Sequence, residues 1–293
     1  MPGSWNDALP EKRYVEPEPD LSEVPLLGGD VSEGVVRKGD TVRRPLGPNS
    51  AVIHAVLQHL EHVGFTGAPR FLGVDDLDRE VLTFLPGEVA GRPRPSWIGE
   101  EARLESVARL VRDYHRAMAG FDLPVGLVPD WGIPDLLDLP EVVPSQPEQV
   151  IAHQDITCEN VVFRDGAAVA LIDFDLIRPT SLLMDVANAL LWWAPLADPV
   201  DRYREMRALD AGRRSRVFCD AYGLEPAARQ QLISVAQSSA ARSWLLMQHR
   251  AEAMGGGWRR MWDEGVGDTI RRRESWLADQ QDQLTEQLLA PAD

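Results

Sequence analysis

The stretch Ile151-Ala152-His153-Gln154-Asp155-Ile156-Thr157-Cys158-Glu159-Asn160-Val161-Val162-Phe163, continued by Val169-Ala170-Leu171-Ile172-Asp173-Phe174-Asp175, sets a few polar side chains into strongly apolar surroundings. Residues 161–163 and 168–172 are short apolar runs of the kind that form buried strands, and Arg164-Asp165-Gly166 supplies a turn between them. Folding that hairpin returns Asp173 to the loop that carries Asp155 and Asn160. A carboxylate, an amide and a second carboxylate then converge on one point, and such an oxygen donor set suits a hard cation such as Mg²⁺ bridging phosphate oxygens.

Upstream, Leu26-Leu27-Gly28-Gly29-Asp30-Val31-Ser32 is a glycine-rich turn, and residues 33–37 and 41–44 read as strands around Lys38-Gly39-Asp40. Pro45-Leu46-Gly47-Pro48 stops the sheet. Asn49 or Ser50 can cap a helix over 50–63, where Val52, Val56, Leu57 and Leu60 have helical spacing. Residues 71–74 and 80–85, separated by Asp75-Asp76-Leu77-Asp78, give a second hairpin that Pro86-Gly87-Glu88 ends. The pattern predicts a small, largely antiparallel sheet with one helix over 26–88, a linker at 89–95 and a larger helical part over 96–293. Within the latter, 97–120 is amphipathic and 121–150 is a proline-rich connection. Helices are expected at 185–194, about 201–222, about 226–252 and, beyond Gly255-Gly256-Gly257, about 258–289. The fold class is α+β.

Composition bounds the function. The chain has 293 residues, 44% of them hydrophobic, which is ample for a folded core. Thirty basic residues against forty-six acidic ones leave a net charge of −16, which argues against a nucleic-acid or anionic-membrane face. Residues 1–33 hold eight acids and two basic residues, and the Pro- and Glu-rich stretch 1–25 reads as a flexible tail, so much of the acidity is peripheral. No apolar run of about 18 residues exists, and Cys158 and Cys219 lack metal-ligand spacing, so a cytoplasmic chain with two ordinary thiols is expected.

The pattern His153-x-Asp155-x4-Asn160, followed by a hydrophobic strand ending in Asp173-Phe174, resembles the catalytic and metal-binding loops of protein-kinase-like small-molecule phosphotransferases. Aminoglycoside phosphotransferases and choline kinases are the family named by that resemblance, which extends to the order of elements from about 26 to 195. It implies a bilobal fold and an ATP- and Mg²⁺-dependent transfer, with GTP as a possible donor, to a hydroxyl of a small molecule. Aminoglycosides, amino alcohols, sugars and natural-product alcohols all qualify as acceptors, and antibiotic resistance is one role such an enzyme would serve.

Carried over by position, the resemblance makes Asp155 the group that orients the hydroxyl and takes its proton, and Asn160 and Asp173 the Mg²⁺ ligands. His153 and Asp185 become structural supports, and Asp175, a carboxylate where many kinases have glycine, reads as a further support, either beside the metal ligands or as a capping residue. Gly28, Gly29 and Ser32 would arch over the phosphates, and Leu85 and Gly87 would lie beside the adenine. The lysine expected on the third strand is absent. Arg43 or Arg44 stands there, register favouring Arg43, while the helix offers His54 where a partner glutamate is expected and Glu61 too late. That departure motivates a rival reading, a nucleotide-binding module without turnover. Asp173-Phe174-Asp175 alone also fits the Asp-x-Asp of some glycosyltransferases. His54, Gln58, His59 and His62 read as a polar helix face rather than a metal cluster. The tryptophans at 192, 193, 244, 258, 262 and 276 read mostly as core with one or two lining a substrate groove, and Arg271-Arg272-Arg273 as a solvated turn.

Overall fold

A computed structural model describes residues 22–26, 34–127, 129 and 149–291. The glycine-rich turn with Gly28, Gly29 and Ser32 lies outside these residues. The first sheet has five antiparallel strands in the order β1-β2-β3-β5-β4: β1 (Val24–Pro25), β2 (Val36–Lys38), β3 (Thr41–Pro45), β4 (Phe71–Val74) and β5 (Arg79–Thr83). It therefore begins inside the stretch read as tail, since Val24 pairs with Arg37. Between Lys38 and Thr41 the chain reverses in two residues, Gly39 adopting φ 60°. Helix α1 (Ser50–His62) lays Val52, Val56, Leu57 and Leu60 against the sheet.

Residues 84–95 connect this layer to the helices. Gly87, at φ 157°, lies so close to the next sheet that an added Cβ would stand 2.5 Å from the Phe163 carbonyl oxygen and 2.5 Å from Val162. The gap is used by a backbone pair: Glu88 N–H donates to Phe163 O at 2.9 Å and Phe163 N–H to Glu88 O at 2.7 Å. Further on, the Arg94 guanidinium is buried against the Ala90 carbonyl, Tyr203 and Glu159, which fixes the linker to the helical part.

Helix α2 (Glu101–Met118) buries Leu104, Val107, Val111, Tyr114 and Met118 on one stripe of helical period. The hairpin β7 (Val161–Arg164) and β8 (Ala167–Leu171) turns through Asp165 and Gly166, both at positive φ. A second pair, β6 (Gln149–Ala152) with β9 (Arg178–Ser181), is not among the expected strands, because each is short and its partner lies some thirty residues away. Helix α3 (Leu182–Trp193) follows at once, capped by Ser181.

Two helix expectations are corrected. Instead of one helix over 201–222, a single 3₁₀ turn at Arg204–Met206 precedes α4 (Ala211–Tyr222), whose start is set by the Asp210 carboxylate accepting from Arg213 N–H at 2.9 Å. After α5 (Pro226–Ala253), the expected last helix is three: α6 (Gly256–Asp263), α7 (Val266–Asp279) and α8 (Gln281–Leu289), with Gly265 in a left-handed conformation at the first break. The arginine triplet divides as well. Arg271 and Arg272 pair at the surface with Glu274 and Asp201, but Arg273 turns inward to a cavity of about 40 Å³ beside Asn188, Ser239 and Ser243. Among the described residues no helix is long and apolar enough to cross a membrane, and both cysteines are buried thiols, pushed up to about 12 by burial.

Candidate active site

The loop between β6 and β7 hangs on one buried carboxylate. Asp185, in the first turn of α3 and fully buried, accepts from His153 N–H at 3.0 Å, Gln154 N–H at 2.7 Å, Gln154 Nε2 at 3.0 Å and His115 Nε2 at 3.0 Å. Burial opposes its ionisation, but these donors and the His115 and His153 rings hold it below the usual carboxylate range. Three residues along the same helix face, Asn188 takes the Ile156 N–H on Oδ1 at 2.8 Å and gives Nδ2 to the Gln154 carbonyl at 3.2 Å. Both neighbours of Asp155 are thereby fixed, and Trp193 Nε1 donates to the Ile156 carbonyl at 3.0 Å. Gln154 sits at φ 61°, which turns Asp155 out of the packed strand and toward the cleft.

His153 faces inward. Its ring lies edge-on to Phe174 at 4.7 Å, neither nitrogen meets hydrogen-bond geometry although the Ile172 backbone is beside it, and burial depresses it to about 4. A ring packed in this way is neutral at neutral pH.

Asn160 donates Nδ2 to the Asp155 carbonyl at 3.0 Å and to the Asp155 carboxylate at 2.7 Å, so its Oδ1 remains the free oxygen. The hairpin returns the chain through Ile172, whose N–H donates to the Asn160 carbonyl at 3.0 Å, and Asp173 follows in a left-handed conformation at φ 64°. Asp155 and Asn160 thus lie beside Asp173, which lines a cleft of about 370 Å³. Burial and the neighbouring Asp173 raise Asp155 from 3.8 to about 7, against the Asn160 hydrogen bond that favours its charge. Asp173 is raised too, by burial and by Asp175.

The positive charge that offsets these carboxylates is Arg44. Side chains alternate along β3, so Arg43 points away, to Asp75 at 3.1 Å, while Arg44 shares the cleft face with Val42. The register preference for Arg43 as the cleft arginine is therefore reversed. Arg44 Nη1 lies 3.2 Å from Asp173 Oδ1, Nη2 binds Asp175, and Nε is 2.8 Å from Glu80 Oε1. Burial works against its charge, yet Asp175, Asp173 and Glu80 together raise its pKa. Glu80 stands directly across from Arg44 in the β3–β5 pair, and its other oxygen is 2.7 Å from His54 Nε2, whose ring stacks on Phe71 at 3.6 Å. The glutamate missing from the helix comes from β5, and His54 holds it. Glu61 lies off to the side at 3.9 Å from Arg70, and His59 reaches the Ala117 carbonyl, so the histidine face is divided among separate partners.

The rest of the cleft is largely apolar, lined by Leu26, Val35, Val42, Leu82 and Val162 together with Leu85 and Gly87, with Glu159 and Thr83 as its other polar side chains. An arginine bridging two carboxylates marks a site built for cationic charge, and the oxygens of Asp173 and Asn160 beside it are suited to Mg²⁺. Sequence reading does not single out Glu80, His115, Gln154 or Asn188. Only Asn188 carries a signal, its spacing of three from Asp185, which puts both on one helix face.

A five-stranded antiparallel sheet over a helical lobe, with a catalytic loop and an Asp-ended hairpin at the cleft between them, is the architecture of a protein-kinase-like small-molecule phosphotransferase. The Phosphotransferase enzyme family matches residues 126–218. The trifolitoxin immunity protein of Rhizobium leguminosarum bv. trifolii is 33% identical over 209 residues, covering 69% of this chain and 74% of that one. An ethanolamine kinase of Plasmodium vivax superposes with a TM-score of 0.57 at 13% identity, over 88% of this chain and 81% of the other. The streptomycin–ATP ternary complex of APH(2")-IIa does so with a TM-score of 0.54 at 14% identity, over 88% and 93%. The chain belongs to the phosphotransferase enzyme family, and it is an enzyme that transfers phosphate to a hydroxyl of a small molecule.

Proposed function

We propose that the protein uses ATP with Mg²⁺ as phosphate donor and that Asp155 is its catalytic residue. The observation that carries this reading is the pairing of Asp155 with Asn160 beside Asp173, which together with Arg44 lines a largely apolar cleft. The apolar walls suit a purine ring near Leu85 and Gly87, and Arg44 is placed to hold phosphate oxygens with its planar fork. Asn160 Oδ1 and Asp173 would hold Mg²⁺, which would supply positive charge to offset the phosphates.

Asp155 faces the acceptor. It accepts the hydrogen bond of the attacking hydroxyl, so that the oxygen is aligned on the terminal phosphorus. As the new O–P bond forms, the bridging P–O bond breaks, ADP leaves, and the hydroxyl proton passes to Asp155 and then to solvent. Asn160 holds the carboxylate at the required angle through its 2.7 Å bond. The rest of the rate enhancement comes from positioning and charge neutralisation.

The test follows ADP formation from ATP with a panel of hydroxyl compounds, with Asp155→Asn beside the parent. Acceptor-dependent ADP production that falls at least 1000-fold in the variant, with ATP binding retained, supports Asp155 as the group that takes the proton. Equal turnover in the variant would overturn that role, and ATP binding without transfer to any acceptor would favour the non-catalytic module.

A further inference from the structure

On the acceptor side of Asp155 the protein places arginines. Arg178 opens β9, where it pairs in register with Ala152 of the strand leading into the catalytic loop, and it donates Nη2 to Gln154 Oε1 at 2.7 Å, one residue from Asp155. Arg250, in the last turn of α5, stacks on Trp258 of α6 at 4.6 Å and lies within the electrostatic reach of Asp155. Arg242 is two turns earlier on the same face of α5, and both it and Arg250 act on Arg178. Arg178 thus holds the residue next to Asp155, Arg250 interacts with both Asp155 and Arg178, and Arg242 interacts with Arg178.

Carboxylates attract Arg178 and Arg250 without pairing with them: Asp185 acts on Arg178 and Asp155 on Arg250. Many other arginines sit on carboxylates, such as Arg79 on Asp75 and Glu23, Arg103 on Glu88, Arg229 on Asp220 and Arg272 on Asp201, while Arg202 and Arg214 are spent on backbone carbonyls. Among the described residues no carboxylate lies within 4.0 Å of the Arg178 or Arg250 guanidinium, in a chain with sixteen more acids than bases. Arg178 is held down to about 10 by burial and by the like charges of Arg250 and Arg242, and burial lowers Arg250. The indole Nε1 of Trp258, the ring beneath Arg250, is a donor buried with no hydrogen-bond partner. Crowding half-buried cations costs free energy that an anion between them would recover, and arginine forks match planar or tetrahedral oxyanions. A polycationic acceptor would meet repulsion in the same place.

We propose that the acceptor is an anionic hydroxy compound, its carboxylate or phosphate group held by Arg178 and Arg250, with Arg242 behind them, so that its hydroxyl meets Asp155. This rests on the phosphotransferase reading above and names the substrate class of the same site.

Two measurements separate the inference from that reading. In the first, Trp fluorescence of the nucleotide-free protein is titrated with gluconate, glycerol 3-phosphate, glucose and choline. Saturable binding of either anion, weakened about 10- to 100-fold by Arg250→Gln and by Arg178→Gln, largely restored by Arg250→Lys and unaffected by Arg44→Gln, is the expected result. Gluconate against glycerol 3-phosphate tells a carboxylate site from a phosphate site. In the second, ADP formation is followed with hydroxycarboxylates, sugar phosphates, neutral sugars, choline and kanamycin. An anionic acceptor should be preferred, its KM rising about 10- to 100-fold in Arg250→Gln while KM for ATP stays constant. Circular dichroism confirms that each variant is folded. No saturable anion binding, or binding indifferent to Arg178 and Arg250, overturns the inference, as does efficient turnover of choline or kanamycin that Arg250→Gln leaves unchanged. Anion binding lost in the arginine variants, without transfer to any acceptor, sustains the anion site and overturns the catalytic reading alone.

Discussion

At the scale of single residues, Asp155 combines a functional gain with a structural cost. Its carboxyl is raised from 3.8 to about 7 by burial and by Asp173, so the protonated form is the better tolerated one. The folded state therefore gains from this group below about pH 4 and loses that gain as pH rises through 7. Asp155→Asn, which cannot ionise, should be more stable than the parent at pH 8 by about 1–2 kcal/mol and no more stable at pH 4, which urea titrations at the two pH values will show. The same titration governs activity with the opposite sense: only the ionised carboxylate accepts a proton, so kcat/KM should rise with pH through about 7. Arg44 invites a second comparison. Arg43 is spent on Asp75, whereas Arg44 alone reaches Asp173, so Arg44→Gln should raise KM for ATP about 10- to 100-fold and Arg43→Gln should leave it within about threefold. Equal effects of the two substitutions in steady-state kinetics would remove Arg44 from the phosphate site.

At the scale of elements, the loop that carries Asp155 is fastened to α3. Asp185 receives four donors and Asn188 fixes both flanks of Asp155. Removing the first as Asp185→Ala strands buried N–H groups and should cost about 3–5 kcal/mol in denaturant unfolding, against about 1–3 for Asn188→Ala, which also loosens Asp155 and lowers kcat more than it raises KM. Gly87 is the matching constraint on the connector. A methyl group there would meet the Phe163 carbonyl oxygen and Val162 at 2.5 Å, so Gly87→Ala should part the Glu88–Phe163 pair and raise KM for ATP several-fold. These elements also show what a sequence makes legible. The hairpin that returns Asp173 and the stripe of α1 are local, carried by turn chemistry and by periods of two and 3.6 residues. The β6–β9 pair, the choice of Arg44 over Arg43 and the supply of Glu80 by β5 depend on which distant strand lies alongside, and each strand is too short for its own pattern to say. The sheet was readable as a list of strands, whereas the side chains facing the cleft depended on its assembly.

At the scale of the whole molecule, charge is unevenly spent, and that separates the donor end of the site from the acceptor end. The net charge of −16 is compatible with a cationic acceptor, yet Arg250 acts on Asp155 and Arg178 holds the neighbouring Gln154, because overall charge governs solubility while local clusters govern recognition. The donor end is the reverse, with Asp173 and Asp175 facing the one arginine that bridges them. Nucleotide alone would place phosphate charge against those carboxylates, while nucleotide with Mg²⁺ would not. ATP at about 100 times its dissociation constant adds about 2.7 kcal/mol to stability, which for a chain of this size is a rise in Tm of roughly 5–10 °C. That rise should need Mg²⁺, should disappear in Asp173→Asn, and should persist in Arg250→Gln, whose lesion lies on the acceptor side. Differential scanning fluorimetry of the three proteins with and without the metal decides it: a rise equal with and without Mg²⁺ would take Asp173 out of the metal site, and a loss in Arg250→Gln would join two ends of the cleft that the geometry keeps apart.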